Sequence, residues 1–185
     1  MITLMLFLRT CRRRFAKAFK AFAIGSVCLL FCLATQAEAP LSKEDKLKAA
    51  YLLNFTKFIE WPESDADERQ KTIRICIASS PKFLAFLNEM ARNVRVGKLQ
   101  RPVNVLPLST AKQCELVYTR QSRTANNEKL HHAVVVVDSP EVKFPTTSIV
   151  FYEKNKKLRF EIDRDNISKT QVVVSSELMK LAKIK

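Results

Sequence analysis

The sequence predicts an α/β fold: a single layered domain with a largely parallel central sheet flanked by helices, closed by a C-terminal hairpin plus helix. Three observations predict it. Strand-like and helix-like runs alternate between Ile73 and Asp138, the order that builds a parallel sheet with helical crossovers. The run Ala133-Val134-Val135-Val136-Val137-Asp138 is unbroken and β-branched, as suits a strand buried on both faces. Residues 149–153 and 158–162 are strand-like and flank Lys154-Asn155-Lys156-Lys157, which reads as a hairpin turn.

In chain order, residues 1–39 are expected to lie outside this fold. Arg9, Arg12, Arg13, Arg14, Lys17 and Lys20 form a basic start, residues 21–34 an apolar run, and Thr35-Gln36-Ala37 a small-residue exit. These are the three parts of a secretory signal. The expected division is a cleaved signal peptide, 1–37, and an exported domain, 38–185. An uncleaved anchor is the alternative, but the apolar run is shorter than the about 20 residues a spanning helix needs.

The next helix is read over residues 48–61, with Pro62 as its stop, because the residue before a proline is pushed out of the α region. Leu47, Tyr51, Phe55 and Phe58 recur at three- and four-residue spacing and are expected to share the core face. Leu52 and Ile59 widen it, while Lys46, Lys48 and Lys57 are expected outside it. Trp61 then lies at the helix exit, covering the end of the core.

A strand is read over 73–78. A helix follows, with Ser80 as cap, Pro81 at its first position and Phe83, Leu84, Leu87 and Met90 on its apolar face. Residues 94–97 are a short strand or turn, 103–107 a strand, 109–114 a helical turn, 115–119 a strand and 122–129 a polar helix. After the hairpin, Asp163 or Asp165 is expected to cap a short helix. Residues 172–174 form a last strand, and Ser175 or Ser176 caps a helix over 177–183 with Leu178 and Leu181 inward.

Charge and composition exclude several functions. The chain has a formal net charge of +14; residues 1–37 hold six basic and no acidic residues, so the exported part carries +8. That charge is thinly spread, no nucleic-acid module is recognisable, and export argues against nucleic acid as a partner. The chain has 2 glycines, too few for phosphate-cradling loops. His131 and His132 are the only histidines and would point to opposite faces of a strand. No Gly-x-Ser-x-Gly elbow is present. The reading is therefore no catalytic residues, no metal and no cofactor. Asp138 ends a strand, where α/β proteins often bind ligands, although Ser139-Pro140 after it reads as a turn.

Of 5 cysteines, Cys76 and Cys114 lie beyond the signal. An even pair in an oxidising compartment is most simply a disulfide, worth roughly 3–4 kcal/mol on the chain-entropy model. Two free buried thiols are the alternative.

The stretch Tyr51-Leu52-Leu53-Asn54-Phe55-Thr56-Lys57-Phe58-Ile59-Glu60-Trp61-Pro62 resembles the opening signature of the YfiR-like family of small bacterial periplasmic proteins. Phe160-Glu161-Ile162-Asp163 and the stretch from Val172 through Ser175, Ser176 and Leu178 to Ala182 resemble its closing signature. The matched positions (Tyr51, Asn54, Phe55, Phe58, Trp61, Pro62, Phe160, Ser175, Ser176 and Leu178) are expected to be mainly structural, and the resemblance names no partner-binding residue. It implies a periplasmic α/β domain with no enzymatic activity of its own. It implies binding to the periplasmic sensor domain of an inner-membrane diguanylate cyclase, which is held off so that cyclic-di-GMP synthesis is repressed. An outer-membrane-associated sequestering protein and a homodimer are further implications, and Cys76 and Cys114 resemble the family's long-range disulfide pair. The chain departs from the family in lacking a second cysteine pair. It also has the stretch Pro140 to Pro145 and Thr146-Thr147 where members usually carry glycines before the final hairpin. A solute-sensing module feeding another receptor, such as a histidine kinase, is the alternative function.

Overall fold

The computed structural model describes residues 40–62, 72–122, 132–142 and 144–185. Within the unit Leu41–Lys185 the first element is helix α1 (Lys43–Phe58). Ser42 caps it, its Oγ accepting from the Asp45 amide at 3.0 Å. Glu44 and Asp45 in the first turn and Lys57 in the last oppose the helix dipole. The helix stops earlier than Pro62 requires. Ile59 and Glu60 form a short strand, β1, and pair antiparallel with Val174 and Val173 of β9 (Val173–Val174). The Ser175 amide also donates to the Phe58 carbonyl at 2.9 Å. A cross-chain ladder therefore replaces the last helical turn. It joins the two ends of the folded chain, something no local propensity encodes.

The remaining elements are β2 (Ile73–Ala78), α2 (Pro81–Ala91), β3 (Arg95–Val96), β4 (Arg101–Pro107), β5 (Leu116–Thr119), β6 (Val134–Val137), β7 (Thr147–Lys154), β8 (Lys157–Ile162), α3 (Arg164–Ser168), α4 (Ser176–Leu181) and β10 (Lys183–Ile184). The main sheet has the order β10-β8-β7-β6-β5-β2-β4-β3. Neighbours are parallel from β4 through β2, β5 and β6 to β7, and antiparallel at β7–β8 and β3–β4. This is the expected α/β class with a mostly parallel sheet, helices packed on it and a C-terminal hairpin. The valine run occupies the middle, and all four residues of β6 are buried.

Ser80, Asp163 and Ser175 cap α2, α3 and α4 through their side chains. The helical turn expected over 109–114 is shorter and starts earlier: the Thr110 and Ala111 amides both donate to the Pro107 carbonyl, and residues 112–114 then run irregularly to Glu115, whose amide is tied to Arg74. The helix expected over 122–129 falls mainly outside the described residues, as do His131 and residues 1–39.

The main core lies on one side of the sheet, where Leu52, Phe55, Phe83, Leu87, Ile75, Tyr118, Phe151 and Phe160 pack together. The other side is a smaller cluster around Cys76, Val117, Val135 and Val137, covered by Leu108, Ala111 and Val142. Cys76 and Cys114 are bonded here, with Cα atoms 5.8 Å apart across a sequence separation of 38.

Three burial expectations are corrected. The buried face of α1 runs through Asp45, Lys48, Ala49, Leu52, Leu53, Phe55 and Thr56, so Leu47 and Phe58 are left 45% and 38% exposed while Lys48 is inside. On α2, Ala91 takes the inward position and Met90 is exposed. Leu181 is 64% exposed, not inward. Leu181 is the last residue of α4, and two residues on the chain enters β10 to pair parallel with Glu161 and Ile162, which holds this end of the helix at the sheet edge rather than over the core.

Candidate functional site

Strand β2 has β4 on one side and β5 on the other, so the strand order reverses between β2 and β5. Open α/β sheets bind ligands beyond the carboxyl ends of strands at such a reversal. Here those ends carry Tyr118 and Arg120 at β5 and Asp138 just past β6. Helix α1 lays Asp45 and Lys48 against them.

Asp138 is the hub. Its Oδ1 accepts from Lys48 Nζ at 2.8 Å, from Arg120 Nε at 3.1 Å and from the Tyr118 hydroxyl. Lys48 Nζ also reaches the Asp138 carbonyl at 3.3 Å and Glu44 Oε1 at 2.7 Å. Arg120 uses its other end on Asp45 Oδ1 at 2.5 Å. The Lys48 side chain is 3% exposed, which a lysine tolerates only when paired and hydrogen-bonded. Phe151 lies beneath its ammonium, 5.9 Å from centroid to nitrogen, and Phe83 stacks on Tyr118 at 5.1 Å.

These surroundings fix each group's charge. Burial pushes the Asp138 carboxyl up, but hydrogen bonds from Lys48 and Tyr118 and the charges of Lys48 and Arg120 outweigh it and hold it below the usual carboxylate range. Burial pushes the Tyr118 phenol far up, and the Asp138 hydrogen bond and charge push the same way. Burial works against the charged Arg120, yet Tyr118, Asp138 and Asp45 more than restore it. Asp138, Tyr118 and Arg120 are all shifted away from neutral pH, so none is poised as a general acid or base there. The cluster holds charge in place and clamps α1 to the sheet.

The signature residues fall around a second feature. Tyr51, Phe55, Phe151 and Phe160 form an aromatic cluster, with Phe55 and Phe160 5.0 Å apart and Tyr51 and Phe160 5.6 Å apart. Trp61 is buried and donates its Nε1–H to the Thr56 carbonyl at 2.9 Å. The Arg101 guanidinium then donates to the Trp61 and Pro62 carbonyls, so Trp61 does cover the core's end. Ser175 caps α4 and Leu178 is buried against α1's core. Asn54 and Ser176 are exposed. The structure thus brings the opening and closing signatures together at β1–β9. Lys48, Arg120 and Tyr118 were not found from sequence. The i, i+3, i+4, i+7 pattern Asp45, Lys48, Ala49, Leu52 was a signal for Lys48, whereas Tyr118 and Arg120 offered none.

Among the described residues no helix is long and apolar enough to cross a membrane, and no group of three His, Cys, Asp or Glu side chains could hold a metal ion. Fold and site together define an α/β domain that presents surfaces and fixed charge. The chain belongs to the YfiR/HmsC-like family, whose sequence pattern matches residues 45–183. No curated protein matches the chain. The family is a regulatory, non-catalytic one associated with periplasmic control of cyclic-di-GMP signalling.

Proposed function

We propose that this protein is exported after cleavage near Ala37 and represses cyclic-di-GMP synthesis by binding the periplasmic domain of an inner-membrane diguanylate cyclase. The observation that carries the reading is the family match over residues 45–183. The joined signatures lend support. At β1–β9, Val173 is the cross-strand partner of Glu60 and is 61% exposed, and Phe58 precedes the ribbon, also exposed. Apolar side chains held on a paired ribbon suit contact with a protein surface. A homodimer and an outer-membrane-associated sequestering protein belong to the same reading.

Repression of this kind is a population shift. The protein binds the cyclase's off state more tightly than its on state, since only differential affinity moves such an equilibrium. Moving it from almost all on to almost all off takes about 5.5 kcal/mol of that difference. Deleting the gene is expected to raise cellular cyclic-di-GMP and biofilm formation. A secreted copy reverses both, and a copy lacking residues 1–37 does not. Unchanged cyclic-di-GMP in the deletion strain, with the candidate cyclase expressed, refutes the reading.

One observation favours the solute-sensing alternative. A groove of about 980 Å³ lies on the sheet's second face, lined among others by Phe144, Val150, Tyr152, Asp163 and Lys185. Its volume and mixed lining are within the range of small-molecule sites. A small molecule that raises the melting temperature and protects this groove favours that reading.

A further inference from the structure

The tip of the β7–β8 hairpin concentrates cations where local structure disfavours them. Phe151, Leu158 and Phe160 point into the main core, so the alternating residues Tyr152, Lys154, Lys157 and Arg159 share the opposite side. There they line a recess of about 400 Å³ with Leu181 and Lys183, and no carboxylate lines it. Lys183 is paired with Glu161 at 2.5 Å. Among the described residues Lys154, Lys157 and Arg159 form no ion pair.

Two features work against hairpin stability. Lys154 and Lys157 are direct cross-strand partners, and like charges so placed repel. The connecting residues Asn155 and Lys156 have φ of 54° and 58°, as a two-residue mirror-image turn requires. Asparagine accepts that region readily, but the second position is glycine's in the favoured turn, and lysine there carries a Cβ clash. A hairpin shaped for stability alone would hold neither the lysine pair nor Lys156.

We propose that this recess is an anion site for a phosphate-bearing ligand, with Lys154, Lys157 and Arg159 as its donors. Arg159 offers a planar fork that matches phosphate oxygens in pairs, and the lysines supply point charges around it. Arg159 stands directly across from Tyr152, which gives the ligand an aromatic wall. Exposed Leu181 on the rim suits an organic or acyl portion beside the charged group. The phosphate comes either from the headgroup of an anionic lipid or from a soluble oligophosphate. Such a site is independent of cyclase control.

The test compares the purified protein with two triple variants. Lys154→Gln/Lys157→Gln/Arg159→Gln empties the recess of unpaired charge. Lys46→Gln/Lys57→Gln/Lys112→Gln removes the same charge from exposed positions elsewhere. The probes are phosphatidylcholine vesicles with and without phosphatidylglycerol, read by co-sedimentation, and inorganic tripolyphosphate, read by chemical-shift changes in the hairpin. The hairpin variant is expected to bind roughly a hundredfold more weakly, at about fivefold for each of the three charges at an anionic surface. Its melting temperature is expected to be unchanged or higher, since the lysine repulsion is gone. Binding only to phosphatidylglycerol vesicles assigns the site to a headgroup, and binding of tripolyphosphate with the same hairpin dependence assigns it to a soluble ligand. Binding of neither probe overturns the proposal, as does equal weakening by the control variant.

Discussion

Replacing Asp138 by Asn tests the ionic clamp most directly. The change keeps the side chain's size but removes the charge that answers Lys48, whose side chain is 3% exposed. Three hydrogen bonds, from Lys48, Arg120 and Tyr118, lose their charged acceptor. A hydrogen bond to a charged group contributes about 1 kcal/mol more than a neutral one, so the expected loss is roughly 3 kcal/mol. That agrees with the about 3–5 kcal/mol typical of breaking one side of a buried pair. Glu44, 2.7 Å from Lys48 Nζ but itself largely exposed, offsets only a small part. The expected fall in melting temperature is roughly 6–12 °C for a unit of this size. Urea denaturation of wild type, Asp138→Asn, Lys48→Met and the double variant measures it. The double variant should lose less than the two single losses added together, because Lys48→Met also removes the buried ammonium that Asn strands. A loss under about 1 kcal/mol for Asp138→Asn, or strict additivity in the cycle, would refute the view that Asp138 pins α1 to the sheet.

Acid should expose the same group. The folded carboxyl titrates below its ordinary value of 3.8, so its contribution is fully present above that value and is lost as pH falls through the depressed folded value. The stability gap between wild type and Asp138→Asn is therefore expected to stay constant from neutral pH down to about pH 5 and to shrink below about pH 4, measured by urea midpoints. Reduction of the Cys76–Cys114 bond, which closes a separation of 38 residues, is expected to lower stability by about 4 kcal/mol. Thiol labelling of unreduced, denatured, exported protein should find neither of these cysteines free. Leu178→Ala is expected to cost about 2–5 kcal/mol as a buried truncation, and Leu181→Ala less than about 0.5 kcal/mol at its exposed site. Denaturation midpoints that rank the two leucines equally would restore the inward placement read from sequence.

The sequence by itself determined the class of fold and much of its local punctuation. The valine run stated its own burial, because an unbroken β-branched segment has no polar face to turn toward water. Ser80 announced one helix start, Asp163 or Asp165 and Ser175 or Ser176 announced two more, which the structure resolves to Asp163 and Ser175, and two strand-like stretches around Asn155-Lys156 announced the hairpin. These signals lie within a few residues of the structure they specify, and the family signatures are of the same local kind. Tertiary structure decided the rest. It fixed which side of α1 faces the sheet, turning Lys48 inward and leaving Leu47 and Phe58 outside. It paired β1 with β9, which cut the helix short of Pro62, and paired β10 with β8, which left Leu181 outside the core. It brought Lys48 to Asp138 across 90 positions and Arg120 to Asp45 across 75. Helical period shows which residues share a face of α1, but the choice among overlapping faces depends on which bury the most apolar surface and satisfy a buried charge. That depends on partners supplied by distant strands, and residue spacing along the chain carries no record of them.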